Sequence, residues 1–185
     1  MKLRISWAVF LVLGIGILVL PLPWLLGGLL AGTVHELGHL LALSLWGGDI
    51  RMLEVHPFGA RIQADIPQRL PAMLCALAGP SAGLLLLPLA QQFPTLSLCA
   101  LAQSLYNLLP LPGLDGGTVV HILTQNRPKL ANSIFLLTRI LLTGALVALA
   151  CLDGSYRQAF FVLFWGLVRL FLGKSSCKPA VFAVQ

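Results

Sequence analysis

His35, Glu36 and His39 fall together in the stretch HELGH, residues 35–39. On a helix, positions i and i+4 share a face, so the imidazoles of His35 and His39 can hold one metal ion while Glu36 lies beside that face. Imidazole suits zinc, and a zinc ion with an open position makes water reactive. A neighbouring carboxylate such as Glu36 can take the proton of that water. The run around the motif, from about Trp24 to Trp46, is otherwise apolar. An ionisable group at the centre of a membrane helix costs about 2.5–3.5 kcal/mol on insertion scales. A bound ion offsets that cost. The bland alternative is a pair of ordinary helix histidines.

A catalytic zinc usually takes three protein ligands. Asp49, Glu54, His56 and Asp65 lie in a polar loop, and Asp153 lies on the opposite side of the expected membrane; Asp115 and His121 remain. Asp115 belongs to the stretch NLLPLPGLDGG, residues 107–117. Pro110, Pro112 and Gly113 should break a helix there. Broken backbone at membrane depth is tolerated only where it is buried in protein or lines a wet cavity. A carboxylate just after such a break is well placed to be the third ligand, and the alternative is a plain loop with an Asp-Gly turn. His121 is expected on a short helix, at the surface or behind the ligands. His56 is expected in solvent.

The elements that must carry these residues are apolar helices. The chain of 185 residues is 58% hydrophobic and only 10% charged. A soluble domain carries about 25% charged residues. The reading is an all-α polytopic membrane protein with six candidate spans, near Ile5–Leu20, Trp24–Trp46, Leu70–Leu89, Leu96–Leu109, Ser133–Leu152 and Gln158–Leu172. Residues 1–173 are expected as one integral membrane domain and 174–185 as a short cytoplasmic tail. The basic, apolar N-terminus resembles a signal peptide but has no A-x-A-like cleavage site, so it reads as an uncleaved first span. Between the second and third spans, Asp49–Asp65 reads as a small membrane-associated β-hairpin around the turn signal HPFG.

The formal net charge is +6, with 12 lysines and arginines. These sit at the ends of apolar runs. With the N-terminus in the cytoplasm, eleven of them fall at the cytoplasmic side and only Arg157 outside. That bias orients a multi-pass cell-membrane protein with both termini cytoplasmic. No basic block or aromatic-basic interleaving marks a nucleic-acid binder. Cys75, Cys99, Cys151 and Cys177 show no CxxC spacing and read as free thiols.

HELGH together with NLLPLPGLDGG resembles the site-2 protease family of intramembrane zinc metalloproteases. Asn107, Pro110, Pro112, Leu114, Asp115, Gly116 and Gly117 fit that family's N-x-x-P-x-P-x-L-D-G-G pattern. GPSAG, residues 79–83, resembles its G-x-x-x-[N/S/G] motif, and the PFG hairpin resembles the branch containing stage IV sporulation protein FB. Thr118 departs from a position where a basic residue is frequent in that branch. The resemblance implies about one zinc ion per chain on His35, His39 and Asp115, with Glu36 as the catalytic acid and base. It implies that Asn107 holds substrate backbone or a neighbouring loop near the site, with Pro110 and Pro112 beside it as substrate-binding residues. The implied partners are a membrane-embedded protein substrate, a membrane regulatory protein and the lipid bilayer.

Two other classes compete. The same His/Asp cluster could form a zinc or proton pathway, since charged residues in spans often mark transport routes. Against this, the chain lacks the paired repeats of broken helices that many transporters show. A silent binding protein of the same fold is the third class, and the intact Glu36 argues against it.

Overall fold

The computed structural model describes residues 2–56, 59–66, 68–152 and 182–183. The expected sixth span, 158–172, lies outside these residues, as do Asp153, Arg157, Cys177 and most of the tail. The described part is mostly helical, with one small sheet.

The chain opens on a strand, β1 (Lys2–Ile5), before the first helix, α1 (Trp7–Val19). This shortens the expected first span, whose Ile5 is in the strand. At 13 residues α1 is about 20 Å long, and none of its residues is buried. Pro21 and Pro23 then fit the start of α2 (Leu22–Leu45), where a missing N–H costs nothing. α2 has 24 residues, about 36 Å, enough to cross a bilayer core. Its buried positions are Gly27, Ala31, His35, His39, Ala42 and Leu43, a stripe at near-fourfold spacing. Small residues in that stripe let other helices approach closely.

Two strands follow, β2 (Asp49–His56) and β3 (Gly59–Asp65), paired antiparallel as the hairpin pattern predicts. The sheet is larger than a hairpin. β1 pairs parallel with the other side of β2, and β4 (Phe182–Ala183) pairs parallel with β3 at Ala64 and Asp65. The order β1-β2-β3-β4 places β2 inside the sheet, so it is not a free edge. Sequence reading missed β1 because four residues at the head of an apolar run carry no strand period of their own.

Next come α3 (Arg69–Leu84) with a 3₁₀ turn at Leu87–Gln91, α4 (Pro94–Asn107), α5 (Asp115–Leu123) and α6 (Pro128–Leu152). α2 lies against α3 and α4. Gly27 abuts the backbone of Thr95 and Leu96, Gly32 faces Gln103, and His35 meets Asn107. These contacts ascend together along both helices, so α2 and α4 run parallel. Ile62 and Ala64 of β3 and Ile66 just after it, every second residue, are buried with Ala42, Leu43, Ala72, Cys75, Ala76 and Ile122. The sheet is thereby seated on α2, α3 and α5.

Among the described residues two helical runs are long and apolar enough to cross a membrane, Leu22–Leu45 and Arg69–Gln91. They support a membrane protein. Trp7, Leu18, Leu41 and Leu141 are among many large apolar side chains left exposed, which water would penalise and lipid would not.

Candidate metal centre

His35 and His39 are buried, at 3% and 5% exposure, one turn apart on the packed face of α2. Their rings meet edge to face, with centroids 4.9 Å apart. His39 Nδ1 lies 2.8 Å from the Cys75 carbonyl oxygen on α3. A carbonyl can only accept, so Nδ1 carries the proton and donates it. Nε2 of His39 is then left with a lone pair, the tautomer a metal ligand needs. That nitrogen points at His35 Nε2, 3.2 Å away.

The ring of His39 lies against α3 because position 79 is glycine. A Cβ there would fall on the imidazole. The GPSAG resemblance pointed to this stretch, but the reason for its first glycine is visible only in the packed structure.

Asp115 arrives from another element. α4 ends at Asn107, and residues 108–114 form a broken segment before Asp115 opens α5. Pro110 and Pro112 lack the N–H a continuing helix would use. Turn bonds Leu109 N–H to Tyr106 and Leu114 N–H to Leu111 satisfy part of the freed backbone. The first turn of α5 is tucked against this segment. A Cβ on Gly116 would strike the Leu108 carbonyl, and one on Gly117 the Leu111 carbonyl. The Gly-Gly pair therefore sets where the Asp115 carboxylate emerges.

Its oxygens reach both imidazoles. Asp115 Oδ2 is 3.1 Å from His35 Nε2, and Oδ1 is 3.4 Å from His39 Nε2. All three candidate ligand atoms lie within 4.8 Å of one another. Ligand atoms about 2.0–2.1 Å from a tetrahedral ion stand about 3.3 Å apart, so the spacing suits zinc. Asp115 Oδ2 is buried and makes no aligned hydrogen bond. A carboxylate and a bare imidazole nitrogen turned toward one point repel each other unless a cation lies between them. The donor set fits a metal ion.

Glu36 follows His35 on α2 and is partly buried. Asn107 Nδ2 comes within 3.4 Å of His35 Nε2, beside the cluster. Pro110 is partly buried in the broken segment, and Pro112 is exposed. His121 lies on α5, outside the cluster. Glu54 faces Arg4 at 3.8 Å, in the sheet. Among the described residues, His35, His39 and Asp115 are the one such group of three.

The fold is similar to a solved structure, the site-2 protease from Methanocaldococcus jannaschii, with a TM-score of 0.58 and 21% identity. The likeness covers 88% of this chain and 86% of that one. At this identity the likeness is one of fold. No family model matches the chain. No curated protein matches it either.

Proposed function

We propose that this chain is an intramembrane zinc metalloprotease that hydrolyses a peptide bond in or near the membrane span of a tethered protein. The observation that carries this reading is the convergence of His35, His39 and Asp115, from two elements, next to Glu36 and a broken helix. The fold likeness to a site-2 protease supports the class.

In this mechanism His35, His39 and Asp115 hold the ion. When bound, it supplies Lewis-acid polarisation of water and of the scissile carbonyl. Glu36 accepts the proton of the attacking water and hands it to the leaving amine. The Cys75 carbonyl keeps His39 in its ligating tautomer. The broken segment 108–114 provides a place for water at membrane depth. Asn107, Pro110 and Pro112 meet an unwound substrate there.

The strand pair between α2 and α3 supports the branch of stage IV sporulation protein FB. In that reading the chain has six spans with both termini in the cytoplasm, which the eleven-to-one charge bias supports. Residues 1–173 form the membrane domain and 174–185 a cytoplasmic tail. The substrates are membrane-tethered precursors, such as those of transcription regulators, and a membrane regulatory protein sets when they are cut. A substrate strand that adds to the sheet does so at the outer edge of β1 or along residues 59–63 of β3, because β2 is paired on both sides and β3 meets β4 only at Ala64 and Asp65.

Glu36→Gln tests the reading. The variant keeps shape and metal ligands but removes the base. Co-expressed with a panel of single-span membrane proteins, wild type should yield a shortened product. Glu36→Gln should hold zinc and lose activity by about 10²–10⁴-fold. A product formed by Glu36→Gln at the wild-type rate rules the mechanism out. Zinc or proton flux in liposomes, with no product from wild type, identifies a transporter instead.

A further inference from the structure

α4 carries a carboxamide that the mechanism above leaves unused. Gln103 lies one helical turn before Asn107, so the two share a face of α4. Asn107 reaches the metal ligand His35, at 3.4 Å. Gln103 lies over Gly32, three residues before His35 on the parallel helix α2. A Cβ placed on Gly32 would sit 3.6 Å from Gln103 Nε2 and 3.9 Å from Oε1. Among the described residues the Gln103 amide has no hydrogen-bond partner. Its neighbours on α4 are used differently, because Ser104 turns into α3 against Gly83.

A carboxamide offers a donor and an acceptor side by side, the complement of a peptide group. Left unpaired at membrane depth it is costly. An unwound substrate brings peptide groups into the same apolar setting with the same need. Each satisfies the other. Three residues of α2 span about 4.5 Å, so the contact falls roughly one to two extended residues from the scissile bond.

We propose that Gln103 binds the backbone of the unwound substrate segment on the α2 N-terminal side of the metal centre. This rests on the protease reading. The test uses purified protein and a Leu/Ala-rich span interrupted at its centre by Asn-Gly, with a fluorophore and quencher at its ends. Gln103→Leu and Gln103→Met keep bulk and apolarity and remove the amide. Both should keep full zinc content and lose about 5–10-fold in kcat/KM, chiefly through KM. Probes methylated singly at backbone nitrogens flanking the cut extend the test. One of them should be cut more slowly by wild type, while the Gln103 variants show no further loss on it. Unchanged kcat/KM in both variants, or an equal loss on every methylated probe, overturns the role of Gln103 and leaves the protease reading standing. If wild type cuts neither this probe nor any single-span protein, the protease reading falls and takes this contact with it.

Discussion

His39 donates its Nδ1 proton to the carbonyl of Cys75, 36 residues further along the chain, at 2.8 Å. The acceptor is backbone, so the side chain of residue 75 is not what matters. Cys75→Ala should therefore leave metal content unchanged. Cys75 is a free, buried thiol, and the truncation costs packing of about 1 kcal/mol, read as a lowered unfolding midpoint. Loss of zinc in Cys75→Ala would mean the sulfur takes part.

The ligand set is tested by elemental analysis. Asp115→Ala should fall well below the wild-type occupancy of about one zinc per chain. His121→Ala should keep wild-type occupancy, because His121 lies outside the cluster. Full zinc in Asp115→Ala with an empty site in His121→Ala would reassign the third ligand.

Gly79→Ala places a methyl on the His39 ring. The ring must turn away from Cys75, which should weaken zinc binding by about 10–100-fold in a competition titration. Gly83→Ala is the control. Its methyl meets the Ser104 hydroxyl instead, so it should cost stability and spare metal affinity. Equal zinc affinity in both variants would separate the Cys75 contact from metal binding.

β1 is held by backbone more than by charge. The Arg4–Glu54 pair is 3.8 Å apart and the Arg4 side chain is 71% exposed, so Arg4→Ala should cost less than about 1 kcal/mol. The Ser6 N–H bond to the Val55 carbonyl should persist, seen as slow amide exchange at Ser6. Leu53→Pro should be far worse, since β2 is paired on both sides and cannot lose donors freely.

Topology can be read with reporter fusions. Gln91, at the end of the run Arg69–Gln91, should report outside, and sites in Thr118–Lys129 should report in the cytoplasm. A cytoplasmic signal at Gln91 would break the charge-based orientation.

The candidate ligands His35 and His39 were legible in the sequence because their relation is local. Helical periodicity alone brings positions 35 and 39 to one face, and the cost of burying them in an apolar run marks them as functional. The break after Asn107 was legible for the same reason, since proline acts on its own backbone. α2, α3 and α6 could be read from apolar run length, and the β2–β3 pair from its turn signal. α5 was expected only as a short helix carrying His121, and its bounds Asp115–Leu123 were not legible, because a nine-residue helix after a break is stabilised by packing more than by its own period.

What tertiary structure decided is everything that joins distant parts of the chain. Its place just after the break at residues 110–113 made Asp115 a candidate, but only the fold of α5 against residues 108–111 brings its oxygens to 3.1 and 3.4 Å from the two imidazoles. The tautomer of His39 depends on a carbonyl of α3 that any residue type would supply. The place of β1 beside β2 is a backbone pairing with almost no side-chain signature. Local periodicity and backbone chemistry are written in residue types. Carbonyl acceptors, strand partners and close helix approaches are set by which surfaces pack, and packing is a property of the whole chain.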